Sequence, residues 1–137
     1  MAETVRIVDY FYVTVPNKPG ESARALGMLR DAGVNLLVFA GFPAGRGAQL
    51  DFVPAYAKAF RETARRANWK VTGPKRAFLI EGDDRVGAGA ELMGKLAAAK
   101  INVTAIDAVC VGAGRYGVIL WVASRDVKRA AKVLGVQ

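Results

Sequence analysis

One stretch of this chain is written twice, and the repetition narrows the folds open to it. From Val13 the sequence runs through a strand-like Val13-Thr14-Val15, the turn Asn17-Lys18-Pro19-Gly20-Glu21, a helical stretch and Gly33-Val34-Asn35-Leu36. A step of 67 positions, the distance from Gly20 to Gly87, puts Ala25, Leu26, Leu29 and Ala32 on Leu92, Met93, Leu96 and Ala99, and Val34-Asn35 on Ile101-Asn102. In the first copy these apolar residues recur at helical spacing and mark a buried face, with Arg24, Arg30 and Asp31 toward water. Repetition at this length implies two copies of one supersecondary unit that share or oppose a sheet.

The turn itself carries the chemistry. Pro19 fixes φ and Gly20 permits a sharp change of direction, so a strand passes straight into a helix whose first N–H groups lack partners. A small anion such as a carboxylate suits that end. A free amino acid also needs acceptors for its ammonium, and an Asn amide offers both donor and acceptor. Asn17, Asn35, Asp84 and Asn102 are therefore candidates for ligand contact, although the same residue types shape loops and caps. Asp107, polar within an apolar strand, either meets a ligand ammonium or faces water.

Taken in order, Thr4 to Val8 and Tyr10 to Val15 read as extended, with a bend near Asp9. Asn35 to Ala40 and Gln49 to Val53 are strands around a Pro43–Gly47 hairpin, Pro54 suits the first turn of a helix, and Trp69 to Thr72 is a short fourth strand. Gly73-Pro74 reads as a stiff hinge between copies at 1–73 and 74–137. The second copy replays the order: strand Arg76 to Glu81, a turn to Gly87, helix Ala88 to Lys100, strand Asn102 to Val111, strand Tyr116 to Val122, and a last helix capped by Ser124. The expected fold is α+β, two βαββαβ repeats with antiparallel sheets. The second repeat has lost or shortened its last strand at Gly135-Val136-Gln137, which leaves a sheet edge for Val5 to Val8, or for a second molecule, to cover.

Composition removes several function classes. The 137 residues are 53% hydrophobic, enough for one domain or two small fused ones. No run approaches a membrane span, and Met1-Ala2-Glu3-Thr4 does not start a signal peptide, so a cytoplasmic protein is expected. The single Cys110 lies in the apolar run Ala108 to Val111 and reads as a small buried hydrophobe. There is no histidine, which excludes Ser-His-Asp and Cys-His catalysis. The net charge of +8 would fit a polyanion. Each half, however, holds ten Lys+Arg against six Asp+Glu, and Lys58, Arg61, Arg65 and Arg66, like Arg125, Lys128, Arg129 and Lys132, read as solvated helix faces.

The order of elements, the Asn17-to-Glu21 turn, and Asn35 fifteen residues beyond Gly20 resemble the ACT domain, a small amino-acid-sensing module, in two tandem copies covering the chain. The resemblance implies a ferredoxin-like fold, ligand sensing, no catalysis, no cofactor and no metal. It implies a ligand held between copies by the turn of one and the strand asparagine of the other. One site would use Asn17, Gly20 and Glu21 with Asn102, and its mate Asp84, Gly87 and Ala88 with Asn35. Val15 and Gly82 stand where the serine-binding relatives of this family carry histidine, and Val86 where they carry proline, so the second turn is the one expected to have lost its ligand.

The expected function is a non-catalytic regulatory module for an amino acid or similar small ligand. Its partners would be a second copy, in a homodimer or higher homo-oligomer, and a partner enzyme, with no membrane and no nucleic acid. Two alternatives stand beside it. One is RNA binding, for which Gly114 to Trp121 partly echoes an RNA-recognition strand but has Gly114 and Val118 at the basic and aromatic positions. The other is an assembly domain whose ancestral site is dead.

Overall fold

The computed structural model describes residues 3–136. Met1 and Ala2, read above for a leader, and Gln137, read as the end of the second copy, lie outside the described residues. The described residues form β1 (Thr4–Pro16), α1 (Glu21–Asp31), β2 (Leu36–Ala44), β3 (Gly47–Pro54), α2 (Ala57–Arg66), β4 (Thr72–Asp83), α3 (Ala88–Ala98), β5 (Val103–Cys110), β6 (Arg115–Val122) and α4 (Val127–Leu134). The chain is thus α+β, with strands in the hydrogen-bonded order β2-β3-β1-β4-β6-β5. The pairs β1·β3, β2·β3, β4·β6 and β5·β6 are antiparallel. This architecture is compatible with ferredoxin-like repeats.

Two compact units divide the chain. Asp9–Lys75 is one, and the residues up to Val8 with those from Arg76 onward are the other. Each is described by itself.

In the Asp9–Lys75 unit, Phe11, Val13, Leu50 and Phe52 alternate out of β1 and β3 and bury against Ala25 and Leu29 of α1 and Phe60 and Ala64 of α2. The period of two on the strands meets the helical period on one face, as a single core requires. Its centre is aromatic. Phe60 lies 4.8 Å from Phe11 and 5.3 Å from Phe52 between ring centroids, and Trp69 stacks on Phe52 at 6.0 Å. Gly33 ends α1 at φ 73°. There its N–H donates to the Arg30 carbonyl and the Val34 N–H to that of Leu29, a glycine-terminated close to the helix.

In the other unit, Phe78 and Ile80 of β4, Leu92 and Leu96 of α3, Val118, Leu120 and Val122 of β6, and Ala130 and Leu134 of α4 form the core. Val5 joins them at 5% exposure. No strand follows α4 among the described residues. The place beside β4 is taken by the start of β1, so the N-terminal segment covers the edge that the short second copy leaves. Left-handed backbone recurs at the same 67-residue step: Gly20 and Gly87, Gly33 and Lys100, Asn68 and Gly135.

Several local expectations are corrected. Gly73-Pro74 is not a linker but lies inside β4, with Gly73 so close to β1 that a Cβ there would meet the Tyr10 carbonyl oxygen at 2.7 Å. The strand begins at Thr72, and Trp69 serves the core from the irregular chain before it. Pro54 ends β3 opposite Leu36 instead of opening α2, because the pairing runs on until the Ala55 N–H reaches the Asn35 carbonyl. The hairpin tip narrows to Gly45-Arg46, with Ala44 paired to Gly47. Ser124 opens a 3-10 turn and makes no side-chain cap. Cys110 is exposed: β5 is an edge strand with β6 as its one neighbour, and everything from Thr104 to Cys110 is open to solvent.

Candidate functional site

Both turns close on a left-handed glycine. Gly20 (φ 93°, ψ −15°) caps α1 and Gly87 (φ 87°, ψ 0°) caps α3. A Cβ at either would meet nothing within 4 Å, so what selects glycine is the backbone conformation, not crowding. The Arg24 and Glu91 N–H groups donate to the Gly20 and Gly87 carbonyls at 2.9 and 3.0 Å. No side chain caps either helix; the Glu21 and Ala88 N–H groups donate to the Lys18 and Arg85 carbonyls at 3.5 and 3.3 Å, and Asn17 and Asp84 do not cover the N–H groups that follow. Val86, in the place of Pro19, is fully exposed and leaves the second turn with the same form as the first.

Asn17, Gly20 and Asn35 are exposed and Glu21 is half-buried in the Asp9–Lys75 unit. Glu21 accepts from Arg24 Nη2 at 2.7 Å, a hydrogen bond that holds its carboxyl below the ordinary range. In the other unit Asp84, Gly87 and Asn102 are exposed and Ala88 is buried. The Asp84 N–H donates to the Gly114 carbonyl at 2.9 Å.

Register separates the two halves of the expected site within each unit. Pro16, just before Asn17, pairs with Gly47, whereas Leu36, just after Asn35, pairs with Pro54 at the other end of β3. At the rise of an antiparallel strand those ends are about 23 Å apart. Asp83 pairs with Arg115 and Val103 with Val122, at the two ends of β6, so Asp84 and Asn102 are parted in the same way. Neither unit brings its own turn and strand asparagine together.

Beside the second turn lies a groove of about 380 Å³ that the sequence did not announce. Glu3, Asp83, Arg85, Glu91, Lys95 and Tyr116 line it, with Val5 and Leu134 as its apolar wall. The Arg85 guanidinium donates to both oxygens of Glu91, Nη1 at 3.1 Å and Nη2 at 2.5 Å. That fork raises the arginine and lowers the carboxyl. Tyr116 Oη donates to Glu3 Oε2 at 2.5 Å, and Lys95 Nζ stands 3.7 Å from Glu3 Oε1. The Tyr116 ring lies over Gly82, where a Cβ would meet it at 2.7 Å. Only a glycine in β4 leaves that space. The smaller first groove, about 300 Å³, is lined by Val13 to Pro16, Arg24, Ala25 and Asn68 to Lys70.

Burial first, and then the bond to Glu3, pushes the Tyr116 phenol up to about 12. Because the folded value lies above the unfolded one, this contribution to stability is complete below pH 10 and lost as pH rises toward 12. An ultraviolet titration is expected to show a tyrosine titrating late, near 12, and Glu3→Gln to bring it part of the way down. A late tyrosine unmoved by Glu3→Gln would mean that the Glu3 contact contributes nothing.

The RNA-recognition echo loses its surface. Val118, at the position where an aromatic would stack on a base, is 5% exposed and packs in the core, and Trp121 is buried.

No family model matches the chain, and no curated protein matches it. Solved structures do. Protein BT0572 of Bacteroides thetaiotaomicron is similar over 96% of this chain and 88% of its own, with a TM-score of 0.83 at 14% identity. The ligand-free regulatory subunit of aspartate kinase from Thermus thermophilus is similar over 98% and 93%, with a TM-score of 0.64 at 16% identity. A putative C-terminal regulatory domain of aspartate kinase from Porphyromonas gingivalis is similar over 98% and 95%, with a TM-score of 0.58 at 17% identity. At these identities the likeness concerns the fold, and the fold it supports is ACT-like.

Proposed function

We propose that this chain is a non-catalytic regulatory module that binds a free amino acid or a similarly small zwitterion through two ACT-like repeats. The observation that carries the reading is the pair of uncapped helix N-termini, each behind a left-handed glycine in the same backbone form. Such an end offers N–H donors and the positive end of a helix dipole to a carboxylate. The regulatory aspartate kinase subunits that share the fold add support.

In this reading the ligand of one turn meets Asn17, Gly20 and Glu21 with Asn102, and that of the other Asp84, Gly87 and Ala88 with Asn35. Each asparagine comes from a copy other than the one that supplies the turn. Self-association fits the surface as well: Leu37 and Phe42 on β2, and Ile106 and Val109 on β5, are large apolar side chains left exposed on edge strands. Paired edges would give a homodimer or larger assembly, and a partner enzyme would read the bound state. No helix among the described residues is long and apolar enough to cross a membrane.

A thermal-shift screen against the twenty amino acids tests the reading, since a ligand that binds only the folded state raises Tm by mass action. A selective shift that Asn17→Ala or Asn102→Ala abolishes is expected. A flat screen joined to concentration-dependent self-association would leave assembly as the function.

A further inference from the structure

We infer that a groove where α2 meets the start of β4 is a second ligand site, for a small organic anion that carries a phosphate or carboxylate on a flat apolar body. No residue of the Asn17-to-Glu21 turn lines it, and it stands whether or not the turns bind an amino acid.

The groove measures about 480 Å³ and belongs wholly to the Asp9–Lys75 unit, a size ordinary for small-molecule sites. Arg61, Ala64 and Arg65 of α2 line it, with Trp69, Val71 and Pro74 from the chain that leads into and opens β4. Arg61 and Arg65 are four residues apart, so one face of the helix carries both. Among the described residues neither has an ion pair or a hydrogen bond, and no acidic side chain lines the groove. Like charges at this spacing weaken a helix, a cost that a bound anion removes. The Arg61 guanidinium carbon lies 5.7 Å from the Phe11 ring centroid, a cation–π contact that leaves N–H donors for an oxyanion. Two such forks match the oxygens of a phosphate or a carboxylate.

The rest of the lining is apolar. Trp69 is half-buried and fixed by its stack on Phe52 at 6.0 Å, and Ala64, Val71 and Pro74 extend the surface. A bare inorganic anion would leave this surface in water, whereas a flat apolar body covers it. The α-ammonium of an amino acid would find no carboxylate there, so the chemistry differs from that proposed for the turns.

The internal repeat shows what is particular to the first copy. A step of 67 positions puts Lys128, Lys132 and Val136 on Arg61, Arg65 and Trp69. The charges recur, but the guanidiniums and the indole belong to the first copy alone. A solvated helix face needs only charge; planar forks beside a ring suit an oriented ligand.

The test uses the full chain, with amide and indole NMR shifts as the readout. Phenyl phosphate and benzoate are the probes, and inorganic phosphate and benzyl alcohol their separate halves, all at equal ionic strength. At least one of the first two is expected to saturate with shifts at Arg61, Arg65 and the Trp69 indole, the tighter identifying the anionic group. It should bind about two- to fivefold more weakly to Arg61→Gln and to Arg65→Gln, the range that an exposed charge pair spans. Lys128→Gln, which removes the same charge from the equivalent position of the second copy, should leave binding unchanged. Equal weakening by Lys128→Gln would overturn the site in favour of net charge alone. Inorganic phosphate binding as tightly as phenyl phosphate would overturn the apolar body, and benzyl alcohol binding as tightly as either probe would overturn the anion. No saturable shift at Trp69 with either probe would overturn the inference outright, while leaving the amino-acid screen to decide the regulatory reading.

Discussion

Phe60→Ala is expected to lower the urea midpoint more than any other single truncation in the Asp9–Lys75 unit. Phe60 is fully buried and touches the rings of Phe11, Phe52 and Trp69, so alanine both forfeits its transfer free energy and opens a cavity in an aromatic cluster that two strands hold apart. Such truncations cost about 3–5 kcal/mol. Against a total of about 5–15 kcal/mol for a small domain, a large share of the unit's margin would be lost. Phe60→Leu, which refills much of the volume, should recover more than half of the loss. Equal damage from leucine and alanine would mean that ring stacking, and not volume, holds this core.

The second large effect is expected at the N-terminal strand. Val5 is 5% exposed against Phe78 and Leu134, whereas Arg6, the next residue, is exposed. Val5→Asp would bury an unpaired carboxylate, at a cost on the order of 3–5 kcal/mol. It would also strip the cover from β4, so light scattering should report self-association along the bared edge. Arg6→Asp, a surface change on the opposite face of the same strand, should stay within about 0.5 kcal/mol. Equal mildness in the two variants would show that this strand does not close the unit.

That strand marks the limit of what could be read in advance. The sequence shows that Val5 to Val8 is extended and that the second copy is one strand short, since both follow from period and chain order. The sequence leaves two candidates for the gap, Val5 to Val8 or a second molecule, and the structure decides for the first, because strand pairing depends on a distant partner that no local pattern records. Gly73-Pro74 departs from its sequence expectation for a related reason. A Gly-Pro pair favours a break wherever only its neighbours are considered, yet here it lies close against the Tyr10 backbone within β4. Cys110 sits in an apolar run like that of a core strand, and only the sheet order makes β5 an edge strand with Cys110 exposed.

The site divides along the same line. The sequence by itself determined the two turns: Gly20 permits a sharp change of direction into a helix, and the 67-residue step already placed Gly87 as its equivalent; the left-handed backbone of both came from the structure. Helix periodicity and turn chemistry act over a few residues, so a single chain states them plainly. The tertiary structure alone decided that Asn17 and Asn35 lie at opposite ends of a sheet, because strand register is set by pairing between distant segments. It alone brought Glu3 onto Tyr116, 113 positions along the chain, with the ring lying over Gly82. Side chains that meet across strands and termini share no spacing, and the groove they form exists only once the sheet has closed.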